Sequence, residues 1–341
     1  MKKYCLLALA SVFVLHSHPL SAATYAARFG SDPTADGWQI AGNTNLFQWD
    51  STNHDLAVTW DSTQTNTYFY HPLEFAVTAN DDFSVEFDVM LSDIVSGNEP
   101  GKTGPMPIGF EFVNLAAVTD PTFIRNNFGF VPNIAGFDYY TDGYFTFGDQ
   151  TFPADAATVP SFISGTDSFD YAPQTVSVFD NRLPVNQMVH VLFAYTATNQ
   201  TAVVLVTTNG VPLVSLPPLV LNGPNGFADP TYNFSMDTFC VASFGSYGDD
   251  FNSVLAHGTI TNLVVNIPPP AQNLAGMFTN GVWQVTFTDH LDWDYKLQRT
   301  TNFVSWQDAS VFVDGNGTNL VLTDSAAPPV GAYYRVSAQR P

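Results

Sequence analysis

The amino-acid sequence predicts an all-β protein whose larger part is a sandwich of two antiparallel sheets. Residues 83–89 alternate strictly, with apolar side chains at odd positions and Ser, Glu and Asp at even positions, which is the period of a half-buried strand. Many short apolar segments follow, separated by Gly, Pro, Asn and Asp. No window combines the 3.6-residue period with capping signals, so long helices are not expected. These features together favour a sandwich.

The remaining strands are predicted from the same alternation and from turn residues between them. Residues 197–200 form a loop of hairpin length between two β-rich segments, and Asn209-Gly210 is a tight-turn signal directly afterwards. The other predicted strands are residues 108–113, 174–179, 189–196, 201–207 and 259–267.

Composition excludes several classes of protein. The chain has 341 residues, of which 45% are hydrophobic and 14% aromatic, so it can bury a core and is not a disordered chain. Its net charge of −21 would repel a polyphosphate, so nucleic acid is not expected as a partner. Cys240 alternates with apolar neighbours and is predicted to be a small core residue.

The chain is predicted to divide into an export signal and two domains. Lys2 and Lys3 precede an apolar run at residues 6–15, and small residues end at Ala23. This is the pattern of a signal peptide over residues 1–23, with no membrane-spanning segment elsewhere. A proline-rich linker at residues 268–272 then separates a domain at 24–267 from a small module at 273–341. The expected location is extracellular or at the cell surface, with the periplasm as an alternative.

The larger domain resembles concanavalin A-like lectin/glucanase jelly rolls, including L-type lectins and laminin-G-like domains. The hairpin VHVLFAYTATNQTAVVLVTTNG and the closing segment HGTITNLVV carry the likeness, although Thr261 stands where the family's last strand often has an acid. The matching positions are His190, Val191, Tyr195, Asn209, Gly210, Gly258 and Ile260. The resemblance implies a jelly-roll fold and a glycan or polysaccharide as the partner.

The tail resembles a small β module found at the C-termini of secreted bacterial proteins. The likeness rests on YKLQRTTNFVSWQDASVF and on the final Tyr334-Arg335-Val336. It implies an attachment or spacing role, for example at the cell envelope.

The candidate catalytic residues do not form a complete set of carboxylates. Glu86 and Asp88 share one face of a strand, about 6–7 Å apart by strand rise, near the spacing of a retaining glycosidase. Jelly-roll glucanases carry Glu-x-Asp-x-Glu at such a strand, but Met90 and Leu91 occupy the positions of the final acid. We therefore favour a solvated polar face, and keep Glu111 as a further weak candidate.

Residues 134–149 resemble the metal loop of L-type lectins. In that likeness Asp138 and Asp149 match the aspartates, Tyr140 supplies a backbone carbonyl and Asp142 stands at the Asn position. Gly136 replaces the Glu, so the transition-metal half should be missing, while calcium, which prefers oxygen ligands, remains the expected metal. The alternative is an Asp-rich turn whose carboxylates bond local amides.

Aromatic residues in the same segment are candidates for stacking on a sugar. Tyr139 and Tyr144 are the predicted ligand-binding residues, with burial in the core as the alternative. Trp38, Trp49 and Trp60 are predicted to be core residues.

Three functions remain open on the sequence alone. The leading hypothesis is a secreted, non-catalytic carbohydrate-binding or cell-surface recognition protein that uses calcium. The first alternative is a polysaccharide-active glycoside hydrolase or lyase on the same fold. The second is a structural envelope or matrix protein, because a fold does not by itself determine a function.

Overall fold

The computed structural model describes residues 23–123, 125, 133–141, 143–147, 150–154, 157–163, 182–215, 218–221, 234–246, 252–328 and 331–341. They form two compact units, Ala23–Ile267 and Pro268–Pro341. No helix in these ranges is long and apolar enough to cross a membrane. The predicted signal peptide lies outside the described residues up to Ala22, and Ala23 begins the first strand.

The larger unit is built almost entirely from strands, with one short helix, α1, at Leu115–Val118. The strands are β1 Ala23–Ala27, β2 Gln39–Ala41, β3 Phe47–Asp50, β4 Asp55–Asp61, β5 Thr67–Thr78, β6 Phe83–Ser96, β7 Gly104–Pro105, β8 Ile108–Val113, β9 Ile134–Tyr140, β10 Gly143–Phe147, β11 Gln150–Ala154, β12 Ala157–Ile163, β13 Val189–Thr196, β14 Thr201–Thr208, β15 Val211–Ser215, β16 Leu219–Val220, β17 Ser235–Ser243 and β18 Asn252–Ile267.

Two large sheets form the sandwich. The ten-stranded sheet runs β15-β14-β13-β6-β18-β4-β3, with β1 and β7 on β18 and β16 on β14. The six-stranded sheet runs β12-β9-β8-β17-β5-β2, and β10 pairs separately with β11. The prediction of an all-β fold with two antiparallel sheets is therefore confirmed.

Alternation along the strands builds the core between the sheets. On β6 the odd-numbered positions from Phe83 to Leu91 are buried. Phe87 stacks on Phe110 of the facing sheet at 3.8 Å between ring centroids, and Phe83 meets Phe112 edge-on. Aromatic pairs of this kind contribute about 0.5–1.5 kcal/mol beyond their buried area.

The predicted hairpin is confirmed with its turn. Strands β13 and β14 pair in register from His190↔Thr207 to Thr196↔Thr201. Gln200 closes the loop in the left-handed region at φ 49°. Asn209 and Gly210, with φ of 50° and 75°, make the tight turn into β15. Positive φ at two consecutive residues is the reason that Asn-Gly is favoured there.

Other predictions met different outcomes. Trp38 and Trp60 are buried and Trp49 packs partly buried against the core, as expected. Cys240 is a buried core residue, also as expected. The predicted strand at residues 174–179 lies outside the described residues. Residues 134–140, which the metal-loop resemblance placed near a loop, form an inner strand of the six-stranded sheet.

The second unit has its own small core. Its strands are β19 Gln272–Thr279, β20 Val282–Thr288, β21 Asp294–Thr300, β22 Gln307–Asp308, β23 Val313–Asp314, β24 Asn319–Asp324 and β25 Tyr333–Gln339. Trp283 stacks on Tyr334 at 4.8 Å between ring centroids, and Phe287 packs on Tyr295. This core of rings holds the unit together without a disulfide among its described residues.

Candidate functional site

A cluster of four polar side chains lies on the outer face of the ten-stranded sheet. We call Glu86, Asp88, His190 and Asn262 the Asp88 cluster. Because Phe87 and Val89 point into the core, Glu86 and Asp88 point away from it. The predicted polar face of this strand is therefore observed.

Strand register brings the other two residues to Asp88. His190 on β13 lies directly opposite Asp88, and Thr261 on β18 opposes it from the other side. The register of β18 then shifts between Thr261 and Val264. Asn262 sits in that bulge with φ 52°, and bulges of this kind re-aim a side chain.

Asp88 is fixed from both sides. Its Oδ1 accepts a hydrogen bond from His190 Nδ1 at 2.9 Å, and its Oδ2 accepts one from Asn262 Nδ2 at 2.7 Å. A hydrogen bond from Nδ1 to a carboxylate orients the imidazole and leaves the second ring nitrogen, Nε2, unbound by Asp88. His190 Nε2 lies 4.0 Å from Glu86 Oε2, and these side chains are 42% and 50% exposed.

The chemistry of the cluster follows from these contacts. Asp88 positions the imidazole and is not a free nucleophile, because both of its oxygens are engaged. The accessible groups are the Glu86 carboxylate, His190 Nε2 and the Asn262 amide, which together can accept from and donate to ligand hydroxyls. Sequence reasoning had noticed His190 only as part of the hairpin. Its functional signal was the cross-strand register with Asp88, which one strand alone does not reveal.

A second cluster, which we call the Arg125 cluster, joins Glu111, Asp138 and Arg125 inside the protein. All three side chains are 0% exposed. Arg125 donates from Nη2 and Nε to Glu111 Oε1, at 3.0 and 3.2 Å. Arg125 Nη2 also donates to Asp138 Oδ2. The guanidinium carbon lies 5.4 Å from the centroid of the Phe244 ring, a cation–π distance.

Register and two glycines place the carboxylates side by side. Glu111 opposes Gly136, and Asp138 opposes Gly109 on the neighbouring position of the same face. A Cβ at Gly136 would lie 2.2 Å from the Phe110 carbonyl oxygen, and one at Gly109 would lie 3.0 Å from the Glu111 carboxyl carbon. Gly136 therefore permits the close approach of the β8 and β9 backbones, and Gly109 leaves space that the Glu111 carboxyl group uses.

The segment after β8 covers this face of the six-stranded sheet. Tyr68 Oη donates to the Val118 carbonyl at 2.9 Å, and Asn66 Nδ2 donates to the Phe123 carbonyl at 3.1 Å. Phe123 packs edge-on against Phe244. These contacts hold the segment onto the sheet and bring Arg125 to the two carboxylates.

Burial controls the ionisation of this cluster. Burial raises the pKa of Glu111 well above its usual value, Arg125 opposes that rise, and the nearby Asp138 carboxylate adds to it. Burial also raises the pKa of the Cys240 thiol, which lies opposite Glu111 on β17. Cys240 is therefore a protonated core thiol and not a nucleophile.

The predicted calcium ligands do not converge on an open site in the described part of the chain. Asp138 is buried against Arg125, and Tyr140 lies buried at the end of β9. Asp142 and Asp149 lie outside the described residues. No group of three or more His, Cys, Asp or Glu residues in the described ranges is arranged to hold a metal ion. Calcium does not fit at Asp138, because the carboxylate already contacts a buried cation.

The predicted ligand-stacking rings also differ from the expectation. Tyr139 is 1% exposed and its Oη accepts a hydrogen bond from the Leu183 amide, so its ring is part of the core. The alternation of β9 sends it between the sheets with Phe137. Tyr144 lies in β10, and its side chain is outside the described part of the structure. Glu111, the weak catalytic candidate, is fully buried and paired with Arg125.

Solved structures similar to this chain are jelly rolls of the concanavalin A-like class. The winged bean acidic lectin, in complex with methyl-α-D-galactose, is 10% identical with a TM-score of 0.40, over 73% of this chain and 100% of that one. An alginate lyase from Aplysia kurodai is 13% identical with a TM-score of 0.36, over 67% and 90% of the two chains. A legume lectin-like domain from Entamoeba histolytica is 10% identical with a TM-score of 0.33, over 67% and 90%.

The likeness to these structures is one of fold alone. The chain matches no protein-family model and no curated protein.

Proposed function

We propose that the larger unit is a non-catalytic carbohydrate-binding module and that the Asp88 cluster is its contact surface. The observation that carries this proposal is the rigid placement of accessible hydrogen-bonding groups around Asp88. Sugar hydroxyls both donate and accept, so a carboxylate, an amide and an imidazole held at fixed positions suit them. Groups held in place before binding also lose less conformational entropy on binding.

Apolar surface beside the cluster supports the proposal. Leu192 lies directly opposite Glu86 on β13, and Leu205 follows on β14. Both side chains are half-buried, and Leu213 on the edge strand β15 is exposed. A sugar has apolar C–H faces as well as hydroxyls. A polar array next to aliphatic side chains therefore offers partners for both.

Charge favours a neutral ligand. Glu86 and Asp88 place two carboxylates at the site, in a chain of net charge −21. A sulfated or carboxylated polysaccharide would be repelled by this field. We therefore infer that the partner is a neutral glycan, bound without calcium at Asp138.

Export is part of the same proposal. The positive residues Lys2 and Lys3, the apolar run at 6–15 and the small residues before Thr24 support a cleaved signal peptide. A glycan-binding module with this leader is proposed to work outside the cytoplasm. N-terminal sequencing of the exported protein would test the predicted cut after Ala23.

Binding to neutral polysaccharides, measured by calorimetry in calcium and in EDTA, tests the function. The wild-type chain should bind in both conditions, and His190→Ala and Asn262→Ala should each weaken binding by at least about tenfold. His257→Ala is a matched control, because His257 forms the same kind of pair with Asp93 elsewhere on β18 and β6, at 2.8 Å. Equal binding by all four proteins, or no binding by any of them, would reject the proposed site.

A polysaccharide-active enzyme is the second candidate, favoured by the pairing of Glu86 with His190. Two exposed groups 4.0 Å apart, one acidic and one basic, can exchange protons with a bound hydroxyl. In that case Glu86→Gln should abolish turnover of a polysaccharide that the protein still binds. Reducing-end or unsaturated-product assays that stay silent with the wild-type chain on a bound polysaccharide would leave binding as the function.

The second unit is proposed to attach the protein to the cell envelope. Its segment between β21 and β23 exposes Val304 and Val311, with Phe303 and Phe312 partly exposed beside them. An exposed apolar group of this kind is a common feature of interaction surfaces. Val304→Ser with Val311→Ser should move the protein from the envelope fraction to the medium, and unchanged fractionation would contradict the attachment role.

A further inference from the structure

We infer that the second unit binds carboxylate groups of an acidic polysaccharide through a row of polar side chains on one face of a sheet. We call Arg335, Gln298, Asp308 and Lys296 the Arg335 row. The inference names a ligand for the second unit, so it rests on the proposed role of that unit in attachment to the cell envelope. It is separate from the Asp88 cluster, which lies in the larger unit.

Strand register places the row on a single face. Gln298 on β21 lies directly opposite Arg335 on β25 and, on its other side, opposite Asp308 on β22. Lys296 is two positions before Gln298, so both side chains leave the same face of the sheet. Leu297, which lies between them in sequence, is buried in the small core of the second unit. The row therefore faces away from that core.

Hydrogen bonds link the four side chains end to end. Arg335 Nε donates to Gln298 Oε1 at 2.8 Å. Gln298 Nε2 and Lys296 Nζ each donate to one carboxylate oxygen of Asp308, at 2.7 and 3.0 Å. Both oxygens of Asp308 are thus engaged, and the row carries two positive charges and one negative charge.

The Arg335 guanidinium is held in place while its outer end stays open. Its central carbon lies 4.3 Å from the centroid of the Trp306 ring, a cation–π distance. Arg335 is exposed, and none of the described residues accepts a hydrogen bond from its two terminal nitrogens. A planar guanidinium binds a carboxylate through two parallel hydrogen bonds. Because Gln298 and Trp306 orient the group beforehand, less conformational entropy is lost on binding.

A groove at the other end of the row provides space for a neighbouring sugar. It has a volume of about 580 Å³ and is lined by Lys296, Asp308 and residues 309–312. Lys296 Nζ lies 4.5 Å from the centroid of the Phe312 ring, and only 17% of the lysine side chain is exposed. The groove therefore offers an apolar wall beside hydrogen-bonding groups. That combination suits a sugar ring next to the one whose carboxylate Arg335 binds.

Local charge permits an acidic ligand on a chain of net charge −21. The second unit has four basic and six acidic residues, a net charge of −2, so most of the negative charge belongs to the rest of the chain. Asp294 and Asp314 oppose each other further along the same face, about 13 Å from Gln298 by strand rise. At about 0.15 M salt the screening length is about 8 Å. A carboxylate at Arg335 is therefore attracted mainly by the guanidinium that it contacts.

Calorimetry of the full chain with polygalacturonate, a polysaccharide of uronic acids, tests the inference. EDTA is present so that calcium does not bridge carboxylates. The wild-type chain should bind, and raising sodium chloride should weaken binding because the contact is ionic. Arg335→Gln should weaken binding at least about tenfold. Arg335→Lys should weaken it as well, since the ammonium keeps the charge but lacks the paired nitrogens.

Arg340→Gln is the matched control for these variants. Arg340 also lies over a ring, that of Trp293, at 5.0 Å from the centroid. Its replacement removes the same charge and the same kind of ring contact from the same unit, and it should bind polygalacturonate as wild type does. Binding to neutral polysaccharides, which is proposed for the larger unit, should not change in Arg335→Gln. Thermal unfolding shows that each variant is folded, and Arg335→Lys decides the test if Arg335→Gln is not.

Several results would overturn the inference. The wild-type chain could leave polygalacturonate unbound, or Arg335→Lys could bind it as well as wild type does. An equal loss in Arg340→Gln would show that overall charge matters and the row does not. Tighter binding to poly(glycerol phosphate), abolished by Arg335→Gln, would assign phosphate in place of carboxylate. Because binding is measured in solution, its failure would leave the fractionation test of Val304 and Val311 to judge the attachment role separately.

Discussion

At the scale of single residues, Glu111 shows how its surroundings change a carboxylic acid. It is fully buried, and it shares its neighbourhood with a second carboxylate and one arginine. Burial raises its pKa more than Arg125 lowers it. The folded protein therefore holds a proton on Glu111 at pH values where the unfolded chain has released it.

This difference predicts a pH dependence of stability. Because the folded-state pKa is raised, the stabilisation is complete below the unfolded value near 4.5 and is lost as pH rises through the folded value. The free energy of unfolding, measured in urea across this window, should fall with rising pH in wild type. Glu111→Gln should flatten that fall. Glu86→Gln, at an exposed position on the other sheet, should leave it unchanged, and equal slopes in all three proteins would contradict the assignment.

Sequence reasoning found some of these residues without their partners. Glu111 was recognised as an acid in a predicted strand and Asp138 as an acid of the metal-loop resemblance, yet nothing in the sequence paired them. Arg125 is 13 residues from Asp138 and 14 from Glu111, in a stretch without periodic signal. Only the register of β8 with β9 shows that one side chain can reach both. Residue types were thus predictable, whereas contacts that depend on strand register were not.

At the scale of secondary-structure elements, the β8–β9 pair depends on close approach at Gly136. The strands pair from Ile108↔Tyr139 to Val113↔Ile134 without a register shift. The side chains of both strands are buried throughout. A pair enclosed in this way has no room to relax outward.

Gly136→Ala should therefore destabilise the protein strongly. The new Cβ would lie 2.2 Å from the Phe110 carbonyl oxygen and 2.7 Å from Glu111 Cα, so backbone must move. The expected loss is roughly 1–3 kcal/mol or more, as for overpacked cores. Gly30→Ala is the control, since no atom lies within 4 Å of its added Cβ, and it should change stability by less than about 0.5 kcal/mol. Chemical denaturation measures both, and equal effects would refute the argument.

Elements differed in how well their sequence predicted them. Strand β6 and the β13–β14 hairpin were predictable because one face of each is polar, which produces clean alternation. Strand β9 was not, because both of its faces are buried and it carries Gly136 and Asp138, residue types that favour loops. The charge of Asp138 is neutralised by tertiary contact with Arg125. Local propensity contains no information about that contact.

At the scale of the whole molecule, the dominant feature is excess negative charge. The chain has 31 acidic and 10 basic residues. Mutual repulsion among surface carboxylates keeps such a protein soluble but opposes the compact state. The sequence alone was enough to predict this property, because it depends on composition and not on contacts.

Added salt should therefore raise thermal stability. Raising sodium chloride from about 0.01 M to about 0.15 M shortens the screening length from about 30 Å to about 8 Å. If screening lowers the repulsion free energy of the folded state by about 1 kcal/mol, the midpoint temperature of thermal unfolding of the larger unit should rise by roughly 2–4 °C. Calorimetry at fixed pH measures the shift, with sucrose of matched osmolarity as the uncharged control. A midpoint that stays constant or falls with salt would show that repulsion is not limiting.

Because Cys240 is buried, the reactivity of its thiol can be used to follow opening of the native structure. The sequence has two cysteines, so a chain cut after Ala23 would keep Cys240 as its single thiol. That thiol is closed off at the centre of the six-stranded sheet, between β8 and β5. A thiol-specific dye should label it only when the native structure opens at this covered face of the sheet, whereas a cysteine placed at the exposed turn residue Ser51 should react at once. The rate of labelling then measures directly how often the native protein opens in water.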